Sequence, residues 1–201
     1  LPAAASQALF SNDSLVRAAL GAQLPEAALD EIRRSVGIAF SVEADVLADG
    51  KRLRALKRVL VSENPAPASN PPPPTFSIAG RVVRAVEGES FRCAPDDPEP
   101  LRVQPRQDVP LAPLFEGAEE PWLERYNVLD ARGLLVERRE QAFYSWYTSG
   151  GELDEGSTQA PERSNSWRAP STAGCAELWL VVRDGHGGES ACGVHVSVGD
   201  V

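Results

Sequence analysis

The residues of this chain whose types could do chemistry are two histidines, three cysteines and several groups of carboxylates. His186 falls in the run DGHGG, and His195 alternates with valines, so it should turn away from the core side of its strand. Neither has a nucleophile beside it in sequence. A Ser-His-Asp set can assemble across sequence, but GxSxG is absent, as are HExxH, the P-loop and GxGxxG. The glycine-rich run 184–188 joins a strand to a strand, so it cannot set a phosphate on a helix N-terminus. Glu152, Asp154 and Glu155, and Asp96, Asp97 and Glu99, are the densest acidic groups. Calcium needs about six to eight convergent oxygens, and no DxDxDG loop supplies them, so both groups read as solvated loop charge. No catalytic residue, cofactor or metal is therefore expected.

Cys93, Cys175 and Cys192 lack the close pairing of a zinc site. Phe91 and Cys93 share a face of a predicted strand, and Cys192 falls on the inward face of another. A Cys93–Cys192 disulfide is the favoured pairing, leaving Cys175 free or intermolecular. Two other pairings and three reduced thiols stay open.

The elements that must position these residues are strands. Leu178, Leu180 and Val182 alternate with Trp179, Val181 and Arg183, the period of two that marks a strand. Cys192, Val194, Val196 and Val198 return on one face. A turn centred near Gly187 would set Val182 opposite Cys192, Leu180 opposite Val194 and Leu178 opposite Val196. Upstream, Tyr144 and Trp146 precede Gly150 and Gly151, and SNSWRAP precedes a turn of small residues. In this order the three motifs resemble the PKD, cadherin-like and other Ig-like modules of secreted bacterial proteins, over residues 76–198. The set also resembles envelope lipoproteins of the myxobacterial type. That resemblance implies an Ig-like β-sandwich and a role in adhesion, spacing or protein recognition.

Upstream of it, two helices are predicted. The first spans 15–20, capped by Ser11 or Asn12 and ended by Gly21. The second follows Pro25, with Leu24, Ala28, Leu29, Ile32 and Val36 in one stripe and Gly37 as its stop. Ile38, Phe40, Val42, Ala44 and Val46 alternate into the turn Asp49-Gly50, which predicts a hairpin. Centred there, Val46 pairs with Leu53, Ala44 with Ala55, Phe40 with Val59 and Ile38 with Val61, and Val42 meets Lys57. That lysine must snorkel or a bulge must shift the register. Lys51, Arg52, Arg54 and Arg58 make the returning strand basic. An isolated hairpin is marginal, and the resemblance to the envelope lipoproteins implies an Ig-like domain around it, so residues 1–62 are expected to belong to an incomplete first Ig-like domain, with strands supplied by missing sequence or by another chain.

Residues 63–75 hold ENPAPASNPPPP, read as a semi-rigid polyproline linker. The second domain then spans 76–201. Its span 94–139 exceeds what an Ig-like module needs and is read as an insertion, with 109–121 irregular and a hairpin turning at 130–133.

The net charge of −9 disfavours nucleic acid and anionic lipid. No apolar run reaches the roughly 18–20 residues that span a bilayer. The chain has no Met, so a start lost by processing or trimming is expected; if the protein is exported, LPAAASQ could follow a cleavage site or a lipid-anchored residue upstream of residue 1. Trp122, Tyr147, Trp167 and Trp179, with Lys51, Arg52, Arg54 and Arg58, form the candidate interaction surface. The expected protein is a mainly β, periplasmic, outer-membrane-anchored or extracellular recognition or scaffolding protein with a protein partner. A carbohydrate-binding accessory module, and a subunit whose open strand edge a partner completes, are the alternatives.

Overall fold

The computed structural model of this chain describes residues 26–65, 68–115, 120–130 and 134–199. The expected helix 15–20 and the start at Pro25 lie outside those residues. In chain order the first elements are α1 (Glu26–Ser35), β1 (Ile38–Ala48), β2 (Lys51–Val61), β3 (Thr75–Ile78), β4 (Arg81–Ala85), β5 (Cys93–Pro95), β6 (Arg102–Val103) and β7 (Asp108–Leu114). They are followed by β8 (Arg125–Leu129), β9 (Leu135–Arg139), β10 (Phe143–Thr148), β11 (Glu152–Leu153), β12 (Ser157–Gln159), β13 (Asn165–Arg168), β14 (Gly174–Arg183) and β15 (Glu189–Val198). The protein is mainly β. It divides into one unit of Leu1–Ala68 with Glu124–Arg139 and another of Ser69–Leu123 with Glu140–Val201.

In the first unit α1 buries Ile32 and ends at Gly37, whose φ of 74° admits glycine at little cost. The Gly37 N–H donates to the Ile32 carbonyl at 2.8 Å. A side chain at Gly37 would press on the Val61 carbonyl at 2.7 Å. β1 and β2 pair along all eleven residues in the expected register, including Val42 opposite Lys57, with no bulge. β8 and β9 form a second hairpin, Val128 opposite Val136. The Leu134 N–H donates to the Asp130 carboxylate at 2.9 Å.

In the second unit a five-stranded sheet runs β12-β10-β14-β15-β6 and a six-stranded sheet runs β11-β13-β7-β3-β4-β5. Their inner faces share one core. Phe76, Ile78, Val83, Val109, Leu111 and Trp167 enter it from the six-stranded sheet, and Tyr144, Trp146, Leu178, Leu180, Val194 and Val196 from the other. The Phe76 and Trp146 rings meet edge to face with centroids 6.0 Å apart, a favoured aromatic geometry. The Cys93–Cys192 disulfide ties β5 to β15 across the core, with Cα atoms 5.5 Å apart, and leaves Cys175 free and exposed.

Three expectations change. First, the terminal hairpin is shifted by two residues: Val182 faces Ser190, Leu180 faces Cys192 and Leu178 faces Val194. The cause is Asp184. Its carboxylate accepts the N–H groups of His186, Gly187 and Gly188 at 2.7, 2.9 and 3.0 Å and closes a loop centred on His186. An even shift keeps every side chain on its expected face.

Second, the span read as an irregular insertion contributes strands. β6 lies parallel to β15, and β7 is central in its sheet. Two prolines argue against a central strand, yet β7 pairs with β13 only over 108–111 and with β3 only over 111–114. Pro110 and Pro113 therefore each have one strand neighbour, and neither interrupts a two-sided ladder. The hairpin β8–β9 groups with the first unit.

Third, the end of the proline run is fixed to the fold. Pro71 and Pro74 are buried, and the Ser190 hydroxyl donates to the Pro72 carbonyl at 2.7 Å.

Candidate functional site

The ribbon of β1 and β2 in the first unit is largely exposed. Alternation puts Phe40, Val42, Ala44 and Val46 on one face with Leu53, Ala55, Lys57 and Val59. Val42, Val46 and Leu53 are more than half exposed, and so are Leu47 and Leu56 on the other face. β1 and β2 form a two-stranded sheet, so among the described residues each has one unpaired edge. That other face carries the charge. Arg52 pairs with Asp45, and Arg54 reaches Glu43 at 2.6 Å and Asp45 at 3.3 Å. The Arg52 guanidinium above all holds the Asp45 carboxyl below the usual range against an opposing desolvation, with Arg54 adding to it. Lys51 and Arg58 are exposed on the same strand.

The aromatic residues separate into three environments. Trp167 leaves the candidate surface: β13 turns it fully inward, and its Nε1–H donates to the Gly150 carbonyl at 2.9 Å. Tyr147 and Trp179 pair across β10 and β14 on the outer face of their sheet. Tyr147 is half exposed, whereas Trp179 lies over Gly193 of β15, where a Cβ would stand 2.6 Å from the indole. Trp122 borders a cavity of about 270 Å³ with Phe115, Tyr144 and several prolines.

Behind that cavity is a polar cluster that the sequence did not reveal. Glu120 is almost wholly buried. It accepts the Tyr144 hydroxyl at 2.9 Å and Arg163 Nε at 2.7 Å, and Arg163 lies over the Phe115 ring at 5.3 Å. Burial works against the Glu120 charge, but Arg163, a backbone N–H and Tyr144 together outweigh it and hold the carboxyl below its ordinary range. Burial, then the hydrogen bond to Glu120 and the charge of that carboxylate, push the Tyr144 phenol far up. A carboxylate with these partners is a structural anchor, since its proton-accepting positions are occupied. Glu120 and Arg163 stand 43 residues apart, so no local pattern joins them.

His195 points outward as expected and meets Glu177 across the strands at 3.5 Å; His186 Nδ1 lies 3.7 Å from the buried Glu140. Among the described residues no group of three or more His, Cys, Asp or Glu side chains is placed to hold a metal ion, and no helix is long and apolar enough to cross a membrane.

No protein-family model matches this chain, and a search of curated proteins returns no match. Among solved structures, it is similar to one described as a nucleoside hydrolase-related hypothetical protein from Saccharophagus degradans that is associated with carbohydrate metabolism. The identity is 17% and the TM-score 0.35 over 65% of this chain; the match spans 26% of that protein.

Proposed function

We propose that this chain is a non-catalytic recognition or scaffolding protein of the cell envelope or the secreted space, built on an Ig-like sandwich and acting through protein contacts. The observation that carries the reading is the ribbon: long paired strands with large apolar side chains open on both faces and unpaired edges. Exposed apolar area of this kind marks interaction sites, and an open edge accepts a partner strand. In this reading the partner completes the first unit's sheet, so the chain is a subunit of a larger assembly.

The strand order supports the Ig-like assignment. β3-β7-β13-β11 follows the ABED order and β10-β14-β15 the CFG order. β6 beside β15 in parallel supplies the short strand that closes that edge, and Trp146 is the buried tryptophan of strand C. Two features depart from antibody domains: the disulfide joins β5 to β15 rather than B to F, and β4 and β5 extend the first sheet. A cross-linked cysteine pair supports an oxidising compartment.

The cavity beside Trp122 favours a second reading, a carbohydrate-binding accessory module, since an aromatic wall with polar neighbours suits a sugar ring. One experiment separates the two. A photo-reactive amino acid is placed at Leu56, and at the exposed Ser171 as control, in the protein within its envelope. A discrete protein adduct at Leu56 that is absent at Ser171 is expected. No adduct at Leu56, with a soluble glycan shifting the Trp122 indole resonance, would replace the protein-contact reading by the sugar-binding one.

A further inference from the structure

Phe91 is an unusual residue for its setting. It is 63% exposed, and its backbone sits at φ 64°, a region that a bulky residue rarely adopts. Three local ties hold it there. Gly193 donates its N–H to the Phe91 carbonyl at 2.9 Å, Val86 donates to the Arg92 carbonyl at 2.9 Å, and Cys93 is fixed to Cys192. An exposed aromatic ring in a conformation that its surroundings must enforce is a preorganised contact.

The ring stands on a groove of about 580 Å³. One wall is the loop that carries Phe91, between β4 and β5. The opposite wall is made by Pro71 and Pro73, and the floor is the start of β15. On the side away from β14, β15 meets Arg92 at Gly193 and β6 at Ser197 and Val198. Residues 189–192 have no strand beside them there among the described residues. Because the Gly193 N–H points into this side, alternation turns the N–H and C=O of Ala191 the same way. The groove therefore offers main-chain hydrogen bonding along its floor.

Its rim is acidic. Glu87, Glu89 and Glu189 line it against Arg92, which pairs with Glu89 at 2.9 Å, while Glu189 shares Arg183 at 3.5 Å. Glu87 is exposed and has no cationic partner among the described residues.

We propose that this groove binds an extended, lysine- or arginine-bearing segment of a partner protein as a short added strand on β15. The segment's backbone pairs with Ala191. Its cation meets Glu87 and Glu89, and the methylene stem and charge of that residue lie on the Phe91 ring, the arrangement in which a cation is attracted to an aromatic face. Charge complementarity calls for a basic segment; the basic strand β2 of a second copy is paired with β1 along its whole length, with Arg52 and Arg54 tied to Asp45 and Glu43, so the occupant is a basic segment of another protein. The site belongs to the second unit and does not depend on the ribbon reading. The disulfide makes it redox-dependent, since Cys93 anchors the Phe91 wall and Cys192 the floor.

The test uses the 201-residue chain and two terminally blocked peptides of about eight residues, one alternating lysine and threonine and the other glutamate and threonine. The lysine peptide is expected to shift the amide resonances of Ala191 and Phe91 and to bind at least tenfold more tightly than the glutamate peptide. Glu87→Gln with Glu89→Gln should reduce that binding at least fivefold. Phe91→Gly, which removes the ring and tolerates the backbone angle, should abolish it while leaving the unfolding midpoint unchanged or higher. Reduction of the disulfide in the folded protein should weaken it. Lysine peptide that leaves both amides unmoved, or that binds the charge and ring variants as well as the original, overturns the proposal.

Discussion

The Tyr144 hydroxyl donates to Glu120 at 2.9 Å between two residues that are each at least 96% removed from solvent. It joins a core strand to the segment beyond β7, and Arg163 completes the contact from the chain before β13. Removing Arg163 would leave a buried carboxylate with one side-chain donor. Arg163→Ala is expected to destabilise the second unit by about 2–3 kcal/mol, somewhat below the roughly 3–5 kcal/mol of a fully enclosed pair, because Arg163 keeps some solvent contact. Urea denaturation measures it, and a loss under about 0.5 kcal/mol would mean that water replaces the guanidinium.

The same cluster sets a pH dependence of two signs. Glu120 titrates lower in the fold than in the unfolded chain. Its contribution is therefore present above an unfolded value of about 4.3 and is lost as pH falls through the lower folded value. Tyr144 titrates higher in the fold, so its contribution is present below about pH 10 and is lost as pH rises above that value. Thermal midpoints across pH should fall at both ends. Glu120→Gln should flatten the acid limb and Tyr144→Phe the alkaline one; limbs with unchanged slopes in these variants would contradict the assignment.

The buried Trp146 indole donates its Nε1–H to Thr158 Oγ1 at 3.0 Å. Thr158→Val keeps the volume and leaves the indole N–H buried without an acceptor. The expected cost is about 1–3 kcal/mol, read as a shift of the denaturation midpoint. Thr158→Ser, which keeps the acceptor, should recover most of it.

Gly193 is required by its neighbour across the sheet. An alanine there would place its Cβ 2.6 Å from the Trp179 ring. Gly193→Ala is expected to lift the indole toward solvent, with a red shift of its fluorescence and a loss of about 1–3 kcal/mol. Fluorescence that matches the original protein would show that the ring moves without losing its cover.

Thiol labelling checks the cysteine assignment. The native protein should take one maleimide, at Cys175, and three after reduction and unfolding. Cys93→Ser with Cys192→Ser should cost about 2–5 kcal/mol. Three fast labels in the native, unreduced protein would rule the bridge out.

Where residues alternate over a long run, their faces were legible in advance. The ribbon register follows from Asp49-Gly50, and the inward set of β14 and β15 survives a two-residue shift because side chains repeat every second residue. The turn itself was not legible, since it depends on one aspartate accepting three N–H groups, which the run DGHGG does not announce. β7 was hidden by its prolines, because strand propensity cannot show that each would have only one neighbour. Trp167 read as a surface candidate since a strand of four residues carries too little alternation to fix its face. The Glu120 cluster and the Phe91 groove depend on residues brought together from distant segments.

The disulfide spans 99 residues of sequence. If the chain were stretched from its ends, everything between Cys93 and Cys192 would be short-circuited by one covalent bond. At about 3.3–3.6 Å per residue, roughly 330–360 Å of contour would be withheld from extension. Load would pass through β3 and β4 to Cys93, across the bond, and out along β15 from Cys192 to Val198, while β7, β10, β13 and β14 stayed slack. Such a module lengthens little under tension, a mechanical property suited to a spacer that must keep its reach while anchored at one end and pulled at the other.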